Sequence, residues 1–176
     1  MKSLWDHFYD FTGWLIRNDR IPDEYLATSK TMDDHRTFAE YFATLGIKHF
    51  AAGEFTSYFH TTRRGVTNHE PPAEMWGNIV PTIRIVDQLR ELWGRPIVLL
   101  SSYRSPAYNA ACPGAASGSF HQKFQALDIA VSGKTPRQVF DQLADWRTAG
   151  KFKGGLGLYS TFTHIDTRGY NATWGT

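Results

Sequence analysis

Residues 117–131 read SGSFHQKFQALDIAV, and the fold turns on the last six of them. In ALDIAV a period of two puts Leu127, Ile129 and Val131 on one face and Ala126, Asp128 and Ala130 on the other. A carboxylate inside an apolar strand costs free energy unless it is paired or binds a cation. His121 stands in the loop that feeds this strand, so an imidazole and a carboxylate are delivered to one region by consecutive segments.

The same alternation recurs downstream. In FTHIDTR, Thr163, Ile165 and Thr167 share one face, while Phe162, His164, Asp166 and Arg168 point the opposite way. RPIVLLSSYR and GGLGLYS are further strand-like runs, and PRQVFDQLADW is a helix with Pro136 in its first turn. Before Gly94 the pattern is helical. Leu4, Trp5, Phe8, Phe11 and Leu15 fall at helical spacing, residues 32–45 form a second helix candidate, and Met75, Ile79, Ile83, Val86, Leu89 and Trp93 trace one long stripe. Pro81 is expected to kink that third helix. The segment FTSYFHTTRRGVTNHE between the second and third helices reads as irregular. Helices first and strands later predict an α+β fold with an antiparallel sheet, helices on one face and a site on the open face.

The bulk numbers fit one domain. The chain has 176 residues, 41% hydrophobic and 20% charged, and is read as a single domain over residues 1–176 with 1–47 as a helical extension. A net charge of +2 is too small to argue for a nucleic-acid partner. The single cysteine, Cys112, excludes an intrachain disulfide and any cysteine-based zinc site. No signal-peptide pattern and no run long enough to insert in a membrane is seen. A monomer is expected.

His121, Asp128 and His164 come from separate segments and carry the donor types zinc prefers. Three protein ligands with an open fourth position make the catalytic pattern, in which the metal activates water and polarises a carbonyl. His7, His35, His49 and His69 lack such neighbours, and His60 is a lesser candidate for a substrate contact.

Taken together, several motifs resemble one family. SFHQKFQALD resembles the Ser-x-His-x-x-Gly-x-Ala-x-Asp signature of zinc D-alanyl-D-alanine carboxypeptidases and related peptidoglycan endopeptidases, whose fold is shared with the vancomycin-resistance dipeptidases and the hedgehog signalling domain. SSYRSPAYN resembles the segment preceding it, GGLGLYSTFTHIDTRGYNATW the closing segment of the His-x-Asp branch, and HFAAGEF an upstream marker. The likeness runs over residues 48–174. It implies a hedgehog/DD-peptidase fold, zinc on His121, Asp128 and His164, and a peptidoglycan peptide as substrate. It also implies Arg104 at the scissile carbonyl or substrate carboxylate, and Tyr103 and Ser119 as substrate contacts. From the residues alone, a surface ion pair for Arg104 and a backbone cap for Ser119 stay open.

Three positions depart from the pattern. Phe124 replaces the signature glycine. Thr161 stands where many relatives have an acidic base. Asp166 stands where some have a second histidine, and it is read as a base or an orienting group, with metal ligand as the alternative. The functional expectation is a zinc peptidase cutting peptidoglycan stem peptides or cross-links at the cell wall, as a carboxypeptidase or an endopeptidase, with a phage lysin as a further form of the same chemistry. The alternative is a non-catalytic, zinc-stabilised cell-wall-binding module.

Overall fold

The computed structural model describes residues 37–175. The helix read over residues 4–15 lies outside them, as does the start of the second. Its described part is helix α1, Phe38–Ala43, opened by a capping box in which Thr37 and Glu40 exchange hydrogen bonds. A short helix α2, Gly53–Thr56, follows. Phe38, Phe42, Phe55 and Phe59 are all buried in one core.

The stretch read as irregular contains a hairpin, β1 (Thr62–Arg63) and β2 (Val66–Thr67). Its turn residues Arg64 and Gly65 both have positive φ, 49° and 78°, the combination required by a two-residue type I′ turn. The long stripe over 73–93 is divided in two. Ala73–Ile79 is a 3₁₀ segment and the α-helix proper, α3, is Val80–Trp93. Pro81 therefore lies in the first turn of α3 rather than kinking a longer helix, because its missing N–H has no intrahelical partner to lose there. Gly94, in the left-handed conformation (φ 57°), ends α3 with its N–H on the Arg90 carbonyl.

The remaining elements are β3 (Ile97–Ser101), α4 (Pro106–Ala111), a 3₁₀ turn (Phe120–Lys123), β4 (Ala126–Val131), α5 (Pro136–Thr148), β5 (Gly155–Leu158), β6 (Thr163–Asp166) and β7 (Ala172–Trp174). The five-stranded sheet has the order β3-β4-β6-β5-β7. Its β3–β4, β4–β6 and β5–β6 pairs are antiparallel, as expected. β7 differs: it lies on the far side of β5 and runs parallel to it. Arg147 on α5 holds it there, donating to the carbonyls of Gly154 and Ala172 and to the Thr173 hydroxyl.

Leu127, Ile129 and Ile165 are fully buried with α3 residues Ile83, Val86 and Leu89 and α5 residues Val139, Phe140 and Leu143. One sheet face is thereby sealed by helices. The other carries Asp128 opposite His164 across the β4–β6 pair. A bulge between Leu99 and Ser101 sets Ser101 opposite Asp128.

Candidate metal centre

His121 is presented by the 3₁₀ turn. Ser119 caps that turn, its hydroxyl accepting the His121 N–H at 3.4 Å. The His121 carbonyl accepts the Arg104 N–H at 3.2 Å, which joins the turn to the chain leaving β3. The turn ends at Phe124 with φ 52°, a left-handed conformation that glycine adopts without cost. The phenyl ring meets no obstacle, for it is fully buried and packs edge-on against Phe55, Phe59 and Tyr103. Phe124 thus takes the glycine conformation and fills the core below the site.

Both imidazoles have a fixed tautomer. His121 Nδ1 lies 2.6 Å from the Ser102 carbonyl, which only accepts, so Nδ1 carries the proton and Nε2 is free. His164 Nε2 lies 3.0 Å from Asp166 Oδ2, so Nε2 donates and Nδ1 is free when the ring is neutral. The two free nitrogens converge on Asp128 Oδ1, at 3.2 Å from His121 and 2.8 Å from His164, and lie 3.2 Å apart. Ligands ~2.0–2.1 Å from a tetrahedral zinc are separated by roughly 3.3 Å. The triangle present is slightly tighter, and its buried His/Asp/His donors could hold a metal ion.

Charge is balanced locally. Burial pushes the His121 pKa below its usual value. Burial opposes the charge of Asp128, but His121 and His164 outweigh it and hold the carboxyl below the carboxylate range. Burial works likewise against protonated His164, yet its bonds to Asp128 and Asp166 raise its pKa. Asp166 is fully buried behind His164. Its Oδ1 accepts the Gly155 N–H and Arg168 Nε, and its Oδ2 accepts Arg168 Nη2 at 2.5 Å. Despite burial, these donors keep its carboxyl ionised well below the usual range.

Arg104 lies beside the triangle, donating from Nη2 to Asp128 Oδ2 at 2.6 Å and from Nε to the Ser101 hydroxyl at 2.8 Å. Together with His121, Asp128, His164 and Ser119 it lines a cleft of about 690 Å³. Tyr103 also borders the cleft, although its ring is largely inside the core. Asp166 does not border it, and nor does His60, whose nearest charged partner is Glu70 at 3.8 Å.

Residues 48–166 match the family model described as Peptidase M15. The chain belongs to the peptidase M15 family. It is 35% identical over 94 residues to peptidoglycan L,D-endopeptidase MepK of Escherichia coli (strain K12), and to the same degree to the protein of that name from Shigella flexneri. The alignment covers 47% of this chain and 49% of each relative, so the chain spans about half the length of the curated relatives it matches. No solved structure gives a significant match.

Sequence reasoning gave no role to Arg168, Asn68 or Arg63 and named no residue of the aromatic wall of the cleft. Arg168 had a legible signal, since alternation in HIDTR sets it on the face of His164 and Asp166. The wall had none. Trp174 reaches the site, its ring 5.1 Å from that of His164, because Gly157 leaves room for the indole, and its Nε1 donates to the Tyr159 hydroxyl at 3.0 Å.

Proposed function

We propose that this M15 peptidase is a zinc enzyme of the hedgehog/DD-peptidase fold that hydrolyses peptide bonds of peptidoglycan stem peptides or cross-links at the cell wall. The observation that carries this reading is the convergence of two tautomer-fixed imidazoles and one carboxylate oxygen at the floor of a cleft. His121 Nε2, Asp128 Oδ1 and His164 Nδ1 would hold the metal. A bound zinc ion supplies Lewis-acid polarisation of the scissile carbonyl and activation of water.

The other roles belong to the chain's own groups. Asp166 is a positioning residue: it fixes the His164 ring through Nε2 and is itself fixed by Arg168. Arg104 offers a guanidinium next to the triangle, suited to the negative charge that develops on the carbonyl oxygen. Ser119 and Tyr103 border the cleft where a substrate backbone would lie. The endopeptidase name of the relatives favours cleavage within a cross-link over trimming of a terminus.

A second reading, a metal-holding cell-wall-binding module without turnover, draws on one observation. Among the described residues lining the cleft, Asp128 is the only carboxylate, and the exposed Thr161 offers no base. Mass analysis of muropeptides after incubation with the zinc-loaded protein separates the two. The peptidase reading expects new peptide products that vanish with a chelator. Unchanged muropeptides, with the protein retained on peptidoglycan, would support the binding module instead.

A further inference from the structure

The cleft contains one more cation than its centre uses. Arg104 is paired with Asp128 and Arg168 with Asp166. Arg63 borders the same cleft, is exposed, and its guanidinium has no ion-pair or hydrogen-bond partner among the described residues.

Its place is built. Arg63 ends β1, and the hairpin is tied to the segment bearing Arg104 by Asn68, which is 2% exposed. Asn68 Nδ2 donates to the carbonyls of Tyr58 and Tyr103 at 3.1 and 2.9 Å, and its Oδ1 accepts the Ser105 N–H at 2.8 Å. On the other leg Thr61 donates to the Tyr108 hydroxyl at 2.9 Å. Arg63 and Arg104 are therefore carried on chain segments that are bonded to each other at both ends of the hairpin. Asp128 is the only carboxylate among the described cleft residues, so the cleft is cationic even before a metal enters.

We propose that Arg63 is a specificity-determining residue that binds a free carboxylate of the substrate peptide, away from the bond being cut. This rests on the peptidase reading above. The planar guanidinium fork matches a carboxylate in two-point geometry, and stem peptides offer two kinds: the terminal carboxylate and the internal one left free on an acidic residue. A cation with no internal partner is the group that loses least on engaging such a ligand.

The test uses the zinc-loaded full chain, wild type and Arg63→Gln, with three synthetic cross-linked stem-peptide dimers: the free acid, one amidated at the terminus, and one amidated internally. Turnover gives KM and kcat, and calorimetry gives affinity for the same peptides. Arg63→Gln is expected to raise KM and Kd for the free acid by about tenfold with kcat unchanged. One of the amidated peptides is expected to show the same weakening with the wild type and no further effect of the variant, which identifies the carboxylate. Equal loss on all three peptides, or no loss on any, overturns the proposal. If the wild type cleaves none of them but binds the free acid in an Arg63-dependent way, the peptidase reading fails while the carboxylate site stands. Binding that ignores Arg63 overturns the site itself.

Discussion

Phe124 shows what one residue can hide. The family signature has glycine at this position, and the left-handed φ of 52° explains why glycine suits it. Restoring glycine would relieve a backbone cost of roughly 1–2 kcal/mol, but it would delete a fully buried ring whose loss costs about 3–5 kcal/mol. Phe124→Gly is therefore expected to destabilise the fold by about 1–4 kcal/mol, read as a lower urea midpoint at unchanged slope. An equal or higher midpoint would contradict the packing described. At this scale the sequence was informative where a residue's face decides its role: alternation alone put Asp128 and His164 on the open face. It was less so where a partner decides. Asp166 has three roles open in the sequence, and the positioning role proposed for it rests on its bonds to Arg168 and His164, which depend on how side chains from one strand close around each other.

Elements with several turns or alternations were legible because their period is averaged over many residues. This holds for β4, β6, α5 and the stripe of α3. Short elements were not. β7 spans Ala172–Trp174 and the hairpin strands are two residues each, too few to show a period. Where β7 docks is decided by Arg147 and by the missing side chain of Gly157. The hairpin's signal was its turn, and it was blurred because Arg64 occupies the position where asparagine is favoured. Arg64→Asn keeps the turn and lowers the cost of its positive φ. It is expected to raise stability by up to about 1 kcal/mol, with the thermal midpoint as readout. A fall in the midpoint would mean that the Arg64 side chain contributes more than its backbone costs.

On the scale of the whole molecule, helices α3 and α5 seal one face of the sheet, and the candidate centre occupies the other. The order of motifs, from the segment around Arg104 to His121, Asp128 and His164, could be read along the chain, and the family match over residues 48–166 falls within the stretch that carries them. The cleft wall could not be read, since it joins the hairpin, α4 and β7 from distant parts of the chain. Among the described residues, no helix is long and apolar enough to cross a membrane. The central claim is that His121, Asp128 and His164 together hold the metal on which peptide cleavage depends. Its most direct test is metal content by mass spectrometry after zinc loading and desalting, for the wild type, Asp128→Ala and Asp166→Asn, with cleavage measured on the same samples. Metal binding needs His164 Nδ1 free, and the pKa of His164 is raised above its ordinary 6.5 in the metal-free site, so zinc loading should weaken as the pH falls through that raised value. Near pH 8 the wild type should retain one zinc with activity, Asp128→Ala neither, and Asp166→Asn should bind zinc roughly 10–100-fold more weakly. A wild type without bound metal, or a full equivalent of zinc in Asp128→Ala, would contradict the claim.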